Sequence, residues 1–349
     1  MFTIRALTFF TGSISSRREL EEEFFHATST LIDVEKSLME RGYKVFTKRV
    51  SFPGLTREIS LKLIEYGGKE FLISTGYSKL TREDIVELAA NGIYTPILHS
   101  ESSSPEKAEE YTETIIEASR RSLLAATKIA IGFHSKDFIT PYFPDSSSPG
   151  YRLIGISLLY PRILFEVLKS TSSLGEAFRV VFSEIDKVVS IVKNTSGLNV
   201  KVDYSLSPWM SESVAEIYEY SGYSLLDPGA LYYTWLLNKY ISEYSNPEIR
   251  TGFNEVMLPY TEDSKLLEYG ERGLLTARKL LYYALTCVAG VDMIVIPENR
   301  DKLKRLVLDT MALASTKKKP VSLRAIPVPR MPGDKVNLGV FGRVTVIDY

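Results

Sequence analysis

Short apolar runs alternate with helical stretches from one end of this chain to the other, and that alternation constrains the fold more than any other feature. FTIRALTFF (2–10) reads as a strand, 19–41 as a long helix with Gly42 placed to close it, and KVFTKRVSF (44–52) as the next strand. The same alternation gives helix 55–66, strand 70–75, a capped helix from Thr81, strand 94–100, a helix over about 106–127 and strand 128–133. The second half repeats it. Strands are expected at 152–159, 198–206 and 291–296, helices at 160–169, 174–193, from Ser213, from Ala230, at 276–286 and 303–314, and three late strands at 321–327, 335–341 and 342–348. Short apolar strands between helices belong to a sheet covered on its faces. About ten of them strain an open sheet, whereas closure removes the edges. The expected fold is therefore α/β, an about ten-stranded α/β barrel, in a single domain over 1–349. Two segments break the rhythm: the Pro/Ser-rich loop 134–150 and the turn-rich loop 242–273. Loops of that length in a compact domain are usually functional or mobile.

Composition narrows the function. The net charge is −1, so no global field calls for nucleic acid or an anionic membrane as partner. No apolar run approaches the ~20 residues of a bilayer span. MFTIRALTFF lacks the basic, apolar, small order of a signal peptide, so a cytoplasmic protein is expected. The single cysteine leaves no intramolecular disulfide and no CxxC site. The three histidines, His26, His99 and His134, lie far apart in sequence. The chain has no glutamine and is rich in charge, as in proteins of hot environments, many of them archaeal.

Several motifs carry a family resemblance. GVDMIVIPE (290–298), MLPYTED (257–263), VDYSLSPWMSESVAEI (202–217), FTKRVSF (46–52) and SLRAIPVPRMPGDKVNLGVFG (322–342) occur together. As a set they resemble domain of unknown function 711, also called uncharacterised protein family 0210. The resemblance implies an architecture similar to the pyruvate formate-lyase-like barrels, and it implies no assigned reaction. It also implies an ACT-domain protein as a partner. Fold similarity alone transfers no chemistry. The family's glycine-rich turns are thinned here, to PDSSSPGYRLIG (144–155), LDPGALYY (226–233) and GFNEVMLP (252–259). The chain ends GRVTVIDY, without the C-terminal glycine of a radical loop, so no glycyl radical is expected.

The candidate chemistry is sparse. Cys287 falls where the family motif has a cysteine and reads either as a nucleophile or as a buried core thiol. Asp292 enters a strand behind Gly290, where it serves a metal, a base or a turn. His134 follows a strand directly, where α/β sites gather, as a general base or a surface histidine. Asp203, Glu262, Asp263 and Glu298 are candidate ligands for a divalent metal that prefers oxygen. For Glu262 and Asp263 the plainer reading is a helix start with Thr261 as its cap. Ser205, Ser207 and Ser211 in SLSPWMSES offer hydroxyls to a phosphate or carboxylate, and Arg49 offers a charge. Three functions stay open: an enzyme or former enzyme acting on a small anionic metabolite, a non-catalytic metabolite-binding or regulatory protein, and a structural, homo-oligomeric scaffold.

Overall fold

The computed structural model describes residues 2–68, 70–99, 104–286 and 290–349. Its strands are β1 (Thr3–Phe10), β2 (Lys44–Ser51), β3 (Phe71–Ser74), β4 (Thr95–Leu98), β5 (Ile129–Phe133), β6 (Leu153–Leu159), β7 (Val200–Asp203), β8 (Val291–Pro297), β9 (Val321–Val328), β10 (Lys335–Asn337) and β11 (Arg343–Thr345). One sheet runs β3-β2-β1-β6-β7, a second runs β4-β5-β9-β8, and β10 and β11 form a ribbon. Both larger sheets are mixed: β1 lies antiparallel to β6 and β5 antiparallel to β9, and the other ladders are parallel. β1, β6 and β9 are buried almost throughout, which is why they read as continuous apolar runs rather than alternating ones.

Twelve α-helices accompany these strands among the described residues. The helix Arg17–Met39 starts where Ser16 accepts a hydrogen bond from the Glu19 amide. It packs beside Leu174–Ser196, which ends at Gly197 with φ +67°. Among the described residues, no helix is long and apolar enough to cross a membrane.

Three expectations hold only in part. The strands do not form one hydrogen-bonded ring among the described residues. The two sheets meet where Tyr94 N donates to Ile73 O (2.8 Å) and Thr75 N to Tyr94 O (3.0 Å). On the far side an irregular stretch runs beside β7, with Thr251 N donating to Val202 O (2.9 Å) and Met257 N to Leu206 O (2.9 Å). Second, the helix expected over about 106–127 breaks at Ser122, which is extended (φ −165°) between Pro105–Arg121 and Leu123–Ala126. Third, the segment 242–273 is not all loop: it includes the end of Ala230–Tyr244 and the whole helix Ser264–Glu271.

The loop 134–150 turns inward. Residues 140–148 are buried, and their hydrogen bonds reach both sheets. Ser74 Oγ donates to Ser146 O (2.7 Å) and Ser148 Oγ to Thr11 O (2.5 Å) on one side, and Ser322 Oγ on β9 donates to Asp145 Oδ1 (2.6 Å) on the other. Its serines are therefore spent satisfying backbone in an interior crossing.

Candidate functional site

A cavity of about 340 Å³ lies between the two sheets and this inward loop. Strand parity builds it. On β2, Thr47 and Arg49 share the inward face, whereas Lys48 between them turns out to pair with Glu35 and with Glu70 (3.3 Å). On β9, Ser322 and Arg324 are likewise two apart and both line the cavity. Arg5 sits where the β1–β6 register slips between Ile4 and Ala6. Asp292 sits in a second slip on β8, between Val291 and Ile294, where Met293 takes φ +54°. Such bulges re-aim side chains. Gly290, at φ +71°, precedes the slip, and a Cβ there would stand 2.2 Å from Ser322 O. The run around Gly290 is thus the bulged start of a strand that aims Asp292 inward.

Tyr94 and Lys128 precede β4 and β5. Parallel pairing of Thr95 with Ile129 brings them side by side, and Lys128 Nζ donates to the Tyr94 hydroxyl at 2.8 Å. The inward loop adds Tyr142, Phe143 and Asp145. Phe46 and Val340 are the exposed lining residues, and Trp209 packs on Phe46 (4.9 Å) and Phe341 (5.8 Å).

The charges fall into two groups. Arg324 grips Asp292 with Nε to Oδ1 at 2.7 Å and Nη2 to Oδ2 at 2.9 Å, and reaches Glu262 Oε1 at 3.2 Å. Arg5 holds the other Glu262 oxygen and donates to Pro208 O (2.6 Å). Burial opposes the Arg324 charge, but Asp292 and Glu262 more than offset it and raise its pKa. Burial also pushes the Asp292 and Asp145 carboxyls up, against the pull of Arg324 on Asp292 and of Ser322 on Asp145. Arg49 and Lys128 differ: among the described residues, neither has a carboxylate within ion-pair distance. Arg49 is 7% exposed. Its Nε donates to Thr47 Oγ1 (3.0 Å), one Nη lies 3.4 Å from Pro141 O, and the guanidinium sits 5.1 Å from the Phe143 ring centre. Burial without a counter-ion pulls its pKa down to about 10. Among the described residues, Tyr142 Oη and Arg5 Nε are buried with no partner within hydrogen-bond distance.

Of the residues singled out from sequence, Arg49, Ser207, Glu262 and Asp292 line this one cavity. The others do not. Asp203 closes a loop: it accepts from Ser205 N (3.0 Å) and Oγ (2.6 Å), Phe253 N (2.8 Å), Asn254 N (3.1 Å) and Thr140 Oγ1 (3.3 Å). Ser205 is consumed in that cluster. Asp203→Asn is expected to cost about 2 kcal/mol in urea unfolding, because an amide supplies one acceptor oxygen where the carboxylate supplies two. A loss under half that would show the loop to be held by its backbone alone. Asp263, not Thr261, caps the helix Ser264–Glu271, accepting from Lys265 N (2.9 Å) and also from Ser213 Oγ (2.6 Å). Ser211 is exposed, and the helix expected from Ser213 begins at Ala215. Glu298 lies outside the cavity, held by Arg120 at 2.5 and 3.1 Å. The four candidate metal ligands therefore do not converge. Among the described residues, no group of three or more His, Cys, Asp or Glu is placed to hold a metal. Cys287 lies outside the described residues.

His134 is also outside the cavity lining. Its ring contacts Tyr77 Oη (3.2 Å) and Ser135 O (3.0 Å) and packs on Phe138. Burial pulls its pKa down to about 4, from an ordinary 6.5. Protonation therefore favours the unfolded chain. Stability held in full above pH ~6.5 should fall as pH drops toward 4, by on the order of 2 kcal/mol from this group. Unfolding midpoints of the protein and its His134→Asn variant between pH 7 and 4.5 measure it. Equal pH slopes would contradict it.

Arg5, Tyr94, Lys128 and Arg324 escape a motif search. The available signal was a single cation inside an otherwise apolar strand, as in FTIRALTFF and VSLRAIP, because such a charge must meet a partner inside.

The model of the family described as Uncharacterised ACR (DUF711) matches residues 101–339. A UPF0210 protein of Pyrobaculum arsenaticum is 33% identical over 182 residues, covering 50% of this chain and 39% of its own length. A UPF0210 protein of Thermoanaerobacter sp. is 28% identical over 204 residues, 55% of this chain and 44% of its own. One from Methanopyrus kandleri is 31% identical over 156 residues, 42% of this chain and 34% of its own. The chain thus spans less than half the length of these relatives. Lys128, Asp145, Glu262, Asp292 and Arg324 fall within the family match, whereas Arg5, Arg49 and Tyr94 precede it.

Proposed function

We propose, for a chain that belongs to the DUF711 family, that the cavity between its two sheets binds a small organic anion and that Arg49 receives the anionic group. One observation carries this reading: a buried guanidinium that lines a cavity and, among the described residues, has no carboxylate partner. A buried cation without a counter-ion is costly, and a ligand carboxylate or phosphate would supply one. The volume suits a metabolite-sized molecule. Leu72, Met257, Phe143 and Phe253 offer it an apolar body, and Tyr142 Oη a further donor. In this reading the two sheets act as the halves of one α/β barrel around the ligand, in line with the pyruvate formate-lyase-like resemblance.

The protein carries its own reporter. It has two tryptophans, Trp209 at the cavity and Trp235, which is 51% exposed on the helix Ala230–Tyr244. In a Trp235→Phe background, emission reports Trp209 alone. Titration with inorganic phosphate, pyruvate, benzoate and phenylpyruvate should give a saturable change for at least one anion. The matching uncharged amide should bind at least ~10-fold more weakly. Equal binding of anion and amide, or no response to any anion, would contradict the reading.

A further inference from the structure

We propose that Tyr94 is the proton-transfer group of this site, its phenol held by Lys128 so that it gives a proton to, and takes one from, the anion bound at Arg49. The inference rests on the anion-binding reading above and adds a reaction class to it.

The geometry begins with the pair itself. Lys128 Nζ lies 2.8 Å from the Tyr94 hydroxyl, and both residues line the cavity. An ammonium has donors only, so the phenol oxygen must accept this hydrogen bond. The phenol's own hydrogen then has no protein acceptor among the described residues. A ligand in the cavity is its available partner. The phenol is also held in orientation: its ring meets Phe143 edge-on at 5.1 Å, and Phe143 in turn lies against Arg49. The anion site and the phenol are thus built on one aromatic side chain.

The charges facing Tyr94 are Lys128, Arg49 on β2 and Arg324 on β9. The acids of the cavity are turned elsewhere: Asp145 to Ser322, Glu262 to Arg5 and Arg324, and Asp292 to Arg324. Burial alone would raise the phenol's pKa, but these cations outweigh it and the net direction is down. A phenol so placed has an accessible phenolate form. With the phenolate as base, a C–H bond beside the ligand's carbonyl or carboxyl group breaks, and its electron pair stays on the ligand as an enolate. The proton forms the O–H bond of Tyr94. The added negative charge on the ligand faces Arg49 and Lys128, and the same proton returns to carbon or oxygen to complete the turnover. No oxidant, reductant or second substrate is consumed. The class is therefore enolisation or isomerisation.

The test reads the phenol directly. The protein is labelled with tyrosine carrying ¹³C at Cζ, and the Tyr94 resonance is assigned as the one missing from Tyr94→Phe. We expect that resonance to titrate at lower pH than those of exposed tyrosines, and its midpoint to rise by at least one pH unit in Lys128→Met. A Tyr94 midpoint at or above the ordinary tyrosine value, or one indifferent to Lys128→Met, overturns the proposal. Trp209 titrations with the same anions, in Trp235→Phe with and without Tyr94→Phe, separate the two readings. A retained fluorescence response with an unshifted phenol sinks only the proton-transfer proposal. Loss of the response in both proteins sinks the anion site beneath it.

Discussion

Arg324→Met is expected to destabilise the fold by about 3–5 kcal/mol, the cost of leaving buried carboxylates without their counter-ion. Arg324 supplies two hydrogen bonds to Asp292 and one to Glu262, and all three side chains are largely buried. Arg5 still holds Glu262 in the variant, so most of the loss should arise at Asp292. The double variant Arg324→Met/Asp292→Met should recover at least half of it, because removal of a whole buried pair is often close to neutral. Urea unfolding of the wild type, both single variants and the double variant closes the cycle. A single-variant cost below ~1 kcal/mol would mean that Asp292 is solvated or protonated in the native state, and that the pair does not organise the cavity wall.

Arg49→Met should behave in the opposite way. Its guanidinium has no carboxylate among the described residues to abandon, so its loss removes a desolvation cost and leaves a similar apolar volume. Unliganded stability is expected to stay within ~1 kcal/mol of wild type or to rise. Anion affinity should fall by about 100-fold, or ~2.7 kcal/mol, the worth of a buried charge-assisted contact. The contrast between two buried arginines in one cavity is the content of the prediction. One is held by protein carboxylates and serves the fold, and the other awaits a ligand. If Arg49→Met unfolds as readily as Arg324→Met, Arg49 belongs to the scaffold.

The alternation of strands and helices was legible because β1, β6 and β9 are buried on both faces and so print as largely apolar runs. How the strands group was not, since ladder partners such as β5 and β9 lie far apart in sequence. The inward course of 140–148 was hidden by its composition. Serine and proline suggest an exposed loop, yet here the loop's hydroxyls and a backbone carbonyl bond to the ends of β1, β2 and β3. The acids divided for the same reason. Asp203 and Asp263 are as acidic in sequence as Glu262 and Asp292, but amides of their own or neighbouring loops claim them. Only the position of Arg5 and Arg324 distinguishes the pair that faces the cavity. Arg49 could be found from sequence because a cation inside KVFTKRVSF needs a partner, and the parity that turns Lys48 out turns Arg49 in.

The most direct measurement is the melting temperature of wild type and Arg49→Met across a concentration series of the tightest-binding anion from the fluorescence panel. A ligand that binds only the native state stabilises it by about 2.7 kcal/mol at one hundred times its Kd. We predict a rise of several degrees for the wild type, and no anion-dependent rise for Arg49→Met from a starting value as high or higher. An equal rise in both proteins would place the anion elsewhere and contradict the assignment of Arg49 as its receptor.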